Sequence, residues 1–345
     1  MHKKASTTKG KERNAALIKY GDKRHSRKWK NRKKQNLIQQ SYKWRLAAKK
    51  ARRRKLPPIN KPAPKNFSII RNTNEVLEYF EIVRKHLKRG DNVRIDKRDV
   101  EVFTVDTIAL LVASINRRNF VHDAIVYGNA PKDKDLNKLF LESGFYDHVA
   151  EHEGFAKKSD GDQLFKEVSK IVMPELAAKA SNMGIKHVFN NDIIFDDLFD
   201  ILIEAMSNTH DHASNSLKGE CRWWLYVHNF PNQCRTGYTF VDLGVGIFKS
   251  VVVEGYWKQK LKGTPLSKHA DIVEDLLSGK IKSREIKDND IRGKGIPEIA
   301  DYAKNDHFAE FYLISNDVKI DLKTGKSETL KHGLRGTLFY WELYN

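Results

Sequence analysis

Residues 191–217 read NDIIFDDLFDILIEAMSNTHDHASNSL. Ile194, Leu198, Ile201 and Leu202 recur at helical spacing on or near one face, so the segment predicts an amphipathic helix. On that helix Glu204, Asn208, Asp211 and His212 stand at i, i+4, i+7 and i+8, and project within about 100° of one another. A polar stripe on so apolar a helix either reaches solvent or lines a site, and the stripe alone does not choose between the two.

The sequence downstream favours a site. CRWWLYVHNF (221–230) and YTFVDLGVGIF (238–248) read as paired strands, the second running into Asp242-Leu243-Gly244-Val245-Gly246-Ile247. An Asp at a strand end followed by two glycines lets backbone approach a planar ligand, with a carboxylate placed to accept a hydrogen bond. A long polar stretch then leads to Arg292-Gly293-Lys294-Gly295-Ile296-Pro297, with the helix-compatible EIADYAKN behind it. A Gly-rich turn that opens a helix beside a lysine suits an anion, because backbone N–H groups and the helix dipole point at it. Gly336-Thr337 then precedes the strand LFYWEL.

In this order and at these spacings the segments resemble the GHKL ATPase superfamily, the group that includes gyrase, MutL, ninety-kilodalton heat-shock chaperones, sensor histidine kinases and anti-sigma factor kinases. Glu204-Ala205-Met206-Ser207-Asn208 is similar to its N-box and DLGVGI to its DxGxGI box. The resemblance implies a two-layer α/β sandwich that binds ATP. It implies that Asn208 ligates a Mg²⁺ bridging the phosphates, and that Glu204 orients or deprotonates the attacking water or hydroxyl. Asp242 would hydrogen-bond the adenine amine, with Gly244, Gly246 and Ile247 forming the turn beside it. Residues 248–292 would be an ATP lid, Gly293, Lys294, Gly295 and Ile296 its phosphate side, and Thr337 a further adenine-side contact. Asp211 and His212 would support the nucleotide from the N-box helix. Glu204, Asn208 and His212, spaced by four, look more like the anti-sigma kinase form than the sensor-kinase form, and no dimerisation helix with a phosphoacceptor His precedes them.

Upstream, strand and helix alternate. FSII reads as a strand, NEVLEYFEIVRKHLKRG as a helix closed by Gly90, NVRID as a strand, TVDTIALLVASINRR as a helix, DAIVYGN as a strand and DLNKLFLESGF as a helix ending at Gly144. A small α/β unit over 61–155 is expected, and its pattern resembles the STAS fold of anti-sigma factor antagonists. Thr104-Val105-Asp106-Thr107 stands where STAS switch proteins carry a phosphorylatable Ser. GDQLFKEVSKIVMPELAAKASNMG reads as a helix ending at Gly184, giving a connector over 156–189 before the ATP-binding unit at 190–345. Residues 186–345 are expected to bind Mg·ATP by themselves.

The chain holds 63 Lys and Arg against 44 Asp and Glu, a net charge of +19. Residues 1–60 carry 22 basic and 2 acidic side chains, a net of +20, which leaves the other 285 residues at −1. Hence a basic arm precedes a neutral body, the two separated by LPPINKPAPKN, where four prolines in eight residues read as an extended spacer. Trp29, Tyr42 and Trp44 lie among the basic side chains of the arm, a composition that suits DNA or RNA through phosphate neutralisation and base stacking. Cys221 and Cys234 match no paired zinc spacing and make no disulfide framework. No apolar run is long enough for a membrane span, so a cytoplasmic location is expected. Together these readings describe a nucleotide-dependent regulatory switch that meets nucleic acid through its arm and a protein partner through its STAS-like unit. A Ser/Thr protein kinase of the anti-sigma type, and a nucleic-acid-binding protein with a non-hydrolysing ATP sensor site, are the alternatives.

Overall fold

VDTIALLVASIN (105–116) is apolar on every side of a helical wheel, and such a helix must be covered on every side. The structure covers it. In the computed structural model, which describes residues 57–116, 124–145, 164–169, 172–190, 195–213, 222–230, 232–260, 268–281 and 295–345, Pro58–Asn345 forms one compact unit. Residues 1–56, and with them almost all of the basic arm, lie outside the described residues.

In chain order the elements are β1 (Ile59–Pro62), β2 (Asn66–Phe67), α1 (Thr73–Arg89), β3 (Val93–Asp96), β4 (Val102–Phe103), α2 (Val105–Asn116), β5 (Val126–Gly128) and α3 (Lys134–Glu142). There follow β6 (Leu164–Ser169), α4 (Pro174–Phe189), α5 (Asp196–Ala213), β7 (Arg222–Asn229), β8 (Arg235–Asp242), α6 (Val251–Lys260), a 3₁₀ turn at His269–Ile272, α7 (Val273–Leu277), α8 (Gly295–Tyr302), β9 (Phe308–Asp321) and β10 (Ser327–Tyr344). β1, β3 and β5 make a parallel sheet in that order, and β6-β7-β8-β10-β9 make a larger antiparallel one.

The central strands of the large sheet, β7, β8 and the second half of β10, are buried on both faces. Along β7 the side chains of Trp223, Leu225 and Val227 join one core, shared with α4, α5 and α8, whereas Trp224 and Tyr226 join a second core shared with α1 and α2. The same alternation sorts Tyr238 and Phe240 from Val241 on β8, and Phe339 and Trp341 from Leu338 and Tyr340 on β10. Strands wrapped on both sides lose the polar alternation of a half-exposed sheet, which is why RWWLYVHN reads as a nearly continuous apolar run. α2 packs on β7 and β8, and α1 on β10.

Three readings change. The Pro-rich spacer is extended as expected, but Ile59–Pro62 is a paired edge strand in parallel register with Val93–Asp96; proline is tolerated there because an edge strand leaves some N–H groups without a ladder partner. Of FSII only Phe67 lies in a strand, β2, which pairs Asn66–Phe67 with Val102–Phe103 in a separate two-stranded arrangement. In the expected connector helix, Leu164–Ser169 is instead the edge strand β6, antiparallel to β7. The helix itself runs from Pro174 through Gly184 to Phe189 and is closed by Asn190 in the left-handed conformation. Gly184 is a packing glycine: a Cβ there would stand 1.8 Å from the Tyr238 hydroxyl oxygen.

Residues 186–345 alone would lack β6 and expose Trp224, Tyr226 and Leu338, each 0 % exposed in the whole chain. At roughly 1.5–3 kcal/mol per large apolar side chain, that loss rivals the whole stability of an ordinary domain. Gel filtration and dye binding should find this fragment aggregated or molten, while 58–345 unfolds in one cooperative transition; a monodisperse, cooperatively unfolding 186–345 would contradict the two-faced burial.

Candidate functional site

The site-bearing residues fall into two clusters, one at the end of β8 and one where α5 meets α8. At the first, Asp242 is the last residue of β8, with Trp223 opposite on β7 and Thr337 opposite on β10. Its carboxylate is 7 % exposed and accepts a hydrogen bond from the Gly244 N–H at 2.8 Å. That bond fixes the direction of the carboxylate.

The neighbouring strands are shaped around Asp242. Between β9 and β10 the register slips, from Leu334 opposite Asn316 to Thr337 opposite Ser315. The extra residues form a bulge containing Gly336 at φ 117, and a Cβ at Gly336 would lie 2.0 Å from the Asp242 carbonyl oxygen. Ser315 Oγ donates to the Gly336 carbonyl at 2.9 Å and accepts from the Ile247 N–H at 2.8 Å. Thr337 Oγ1 lies 3.3 Å from the same oxygen.

Asn316, itself at φ 52, holds the glycine turn: Nδ2 donates to the Val245 carbonyl at 2.8 Å and Oδ1 accepts from the Lys249 N–H at 3.1 Å. Gly246, at φ 82, passes over that carboxamide so closely that a Cβ would sit 2.5 Å from it. Asp242, Gly244, Gly246, Ile247 and Thr337, separated by up to 95 positions in the sequence, are therefore gathered at one sheet end. Ser315 and Asn316 complete the network and were missed by sequence reading. Their signal is the polar pair that interrupts the apolar FYLI run of β9.

In the second cluster the N-terminus of α8 abuts the polar stripe of α5. A Cβ on Gly295 would lie 2.7 Å from Glu204 Oε2 and 3.1 Å from Asn208 Nδ2. Asn208 Nδ2 is buried with no hydrogen-bond partner among the described residues. Since amide oxygen and nitrogen exchange places by a flip, this side chain can turn either a donor or an acceptor toward a ligand. Ile296 is buried in the core behind the turn. Gly293 and Lys294 lie outside the described residues, as do the side chains of Asp211 and His212 on the last turn of α5.

Of the expected lid, α6 and residues 268–281 are described. They are tied down by charge: Asp275 accepts from Lys260, Lys280 and Tyr256. The Lys260 hydrogen bond foremost, against the opposing effect of burial, holds the Asp275 carboxyl below its ordinary value. His269 Nδ1 lies 2.5 Å from Asp317 Oδ1, which joins this segment to β9 one residue past Asn316. Burial pushes the Asp317 carboxyl up, but the hydrogen bond and charge of His269 outweigh it and leave the group below its ordinary value.

Among the described residues no group of three or more His, Cys, Asp and Glu side chains is placed to hold a metal, and no helix is long and apolar enough to cross a membrane. No protein-family model matches the chain, and no curated protein matches it.

The bulge is testable through glycine alone. Gly336→Ala puts a Cβ into the Asp242 carbonyl, whereas Gly325, at φ 70 in the β9–β10 turn, has open space around its Cα. Gly325→Ala should cost about 1 kcal/mol from the backbone conformation. Gly336→Ala should cost at least about 3 kcal/mol, as strain and overpacking add. Urea midpoints at unchanged m-value measure both, and equal losses would show that Gly336 is not pressed against Asp242.

Proposed function

We propose that the chain is an ATP-binding protein of the GHKL type, acting as a nucleotide-dependent regulatory switch with ATP hydrolysis at the same site. The observation that carries this reading is the contact of Gly295 with Glu204 and Asn208. It joins a Gly-rich helix start, suited to phosphate, to the carboxylate and carboxamide of a helix 87 positions upstream, counted from Asn208. The Asp242–Thr337 pair supports it by providing a buried acceptor with a hydroxyl opposite, chemistry that fits an adenine edge.

In this reading Asp242 accepts from the adenine amine and selects it over the carbonyl that guanine carries at the same ring position. The α8 N-terminus offers N–H groups to the phosphates. Asn208, whose Nδ2 has no partner among the described residues, can turn its amide oxygen toward an oxygen-seeking ion; Mg²⁺ typically keeps several waters and takes phosphate ligands in such sites. When bound, that ion supplies charge neutralisation on the phosphates. Glu204 holds the attacking water by its carboxylate and takes its proton. Movement of the segment that runs from α6 to α8 would report the nucleotide to a partner.

The variants separate the roles. By calorimetry on the full chain, Asp242→Asn should weaken ATP binding by about 1–3 kcal/mol and erase preference over GTP, because a donor then faces a donor. Asn208→Ala should lose Mg²⁺-dependent binding, and Glu204→Ala should keep affinity while phosphate release falls about 10²- to 10⁴-fold. ATP and GTP bound with equal affinity by the unmodified chain would refute the adenine assignment. Affinity without release of phosphate or its transfer to protein would leave a sensor.

The charge distribution favours a second activity on the same chain, nucleic-acid binding through residues 1–60 at a net +20. Phosphate neutralisation makes log K fall with log salt at about −0.9 per duplex phosphate contacted. Fluorescence anisotropy from 50 to 200 mM salt should therefore show a steep slope for the full chain, and almost no binding once residues 1–57 are removed; equal affinity for the two would move the surface to the body.

A further inference from the structure

A cavity of about 270 Å³ lies at the start of α2, against the end of the large sheet where Arg235 begins β8 and Glu342 stands near the end of β10. Asp242 is at the opposite end of β8. The volume falls just under the roughly 300–1,000 Å³ of pockets for drug-sized ligands, which suits a smaller molecule. Part of the wall is apolar, with Phe103, Val105 and Phe230 joined by Leu139 from α3.

The rest of the wall is charged, with Asp106, Glu310 and Glu342 set against Arg71 and Arg235. Both oxygens of Glu342 are engaged, one by Arg235 Nη1 at 3.1 Å and the other by the Tyr340 hydroxyl. Asp106 is engaged on one side only: Oδ2 accepts from the Ile70 N–H and Ser68 Oγ, whereas Oδ1 is buried with no hydrogen-bond partner among the described residues. Thr104 stands near enough to favour the ionised form of Asp106, yet its Oγ1 is buried without a hydrogen bond of ordinary geometry. Glu310 makes no hydrogen bond or ion pair with another described residue. Burial, then the charge of Glu342, pushes its carboxyl above the ordinary value; Asp106 adds to that rise, and Arg71 and Arg235 oppose it without cancelling it. His228, in the same wall, is held neutral near pH 7 and adds no positive charge. Three acids therefore face two cations, and the carboxyls of Asp106 and Glu310 retain room for a donor.

We propose that this cavity binds a small primary amine in its ammonium form, with the head set among Asp106, Thr104 and Glu310 and a short hydrocarbon body against Phe103, Phe230 and Leu139. An ammonium carries three N–H donors and one positive charge. It gives Asp106 the bond that Oδ1 lacks, and its charge lets two neighbouring carboxyls ionise together. Water could bond the same oxygens but would bring no charge. A carboxylate ligand would meet three acids, and a quaternary ammonium would bring charge without a donor. The inference stands apart from the nucleotide reading, since it uses none of the residues assigned to ATP.

The test is calorimetric titration of the full chain, at constant ionic strength, with butylammonium, butanol, butyrate and tetramethylammonium. Butylammonium should bind saturably near one per chain, and at least about 10-fold more tightly than any of the other three. Asp106→Asn keeps an amide oxygen for the Ile70 N–H but removes the charge, and should weaken butylammonium at least about 10-fold while leaving butanol unchanged. Glu310→Gln should weaken it in the same selective way at an unchanged urea midpoint. Because Glu310 is half-buried and has no hydrogen bond to lose, this second variant decides the matter even where Asp106→Asn fails to fold. Butanol or tetramethylammonium bound as tightly as butylammonium, or butylammonium binding indifferent to Glu310→Gln, overturns the proposal. So does the absence of any uptake by the full chain, which would leave the cavity to water.

Discussion

A sheet whose central strands have no solvent face is the constraint on which the rest of this unit depends. Its five strands have helices α4, α5 and α8 on one side and α1 and α2 on the other, and each of the central strands β7, β8 and β10 sends alternate side chains into two separate cores. Side-chain period in a strand is two, so a one-residue slip would exchange the two sets together. Trp223 and Trp224 could not trade places without one core gaining and the other losing its partners. Register is thereby fixed from both sides, and the position of Asp242 opposite Thr337 inherits that rigidity.

Burial this complete makes polar groups between the layers expensive unless each is held. Asp106, on the first turn of α2, is 1 % exposed; Oδ2 accepts from the Ile70 N–H at 2.9 Å and from Ser68 Oγ at 3.3 Å. Desolvation still pushes its carboxyl up, which is the signature of a dry site. His228 is pushed down to about 4, by burial first and then by the charges of His187 and Arg235. Its stabilising neutral form is complete above the ordinary histidine value near 6.5; as pH falls from there toward 4, the unfolded chain takes up a proton that the folded one refuses. The burial of His228 therefore favours the folded state near neutrality relative to mild acid, whereas the raised carboxyl of Asp106 acts in the opposite direction. Asp96 is shifted in the same downward direction by partners rather than by burial: Arg98 foremost, then Asn129 and Asn60, hold its carboxyl far below the ordinary range. Its contribution is complete above about pH 4 and fades only in stronger acid.

How much of this was legible follows from the range over which each signal acts. α1, with its Gly90 cap, and α2 and α5, with their apolar spacing, announce themselves locally, and the structure has them where the periodicity places them. β6 was invisible because QLFKEVSKIV lacks clean alternation, and its strand character comes from pairing with β7, more than 50 positions later. β1 was hidden by its prolines, which argue against a central strand but not against an edge. Gly184 looked like a helix end because the sequence does not show Tyr238 lying across it. At the site, glycines and acids stood out by type, whereas Ser315 and Asn316 needed the fold: their importance lies in what crosses above them.

The bulge at Gly336 then explains why the polar network can exist in so apolar a sheet. Bulges add twist and release backbone groups from the ladder, and the groups released here are claimed at once, the Gly336 carbonyl by Ser315 Oγ. That hydroxyl passes the constraint to Ile247, and Asn316 passes it to Val245 and Lys249, so that the turn after Asp242 is held by β9 rather than by its own sequence. Leu243 in that turn and Leu334 at the start of the bulge both belong to the core on the α1–α2 side. The candidate adenine-side turn is thus the edge of the interlayer core as much as the end of a strand. A change in the packing of α1 or α2 would reach it through two leucines, without any contact to the residues that carry its chemistry.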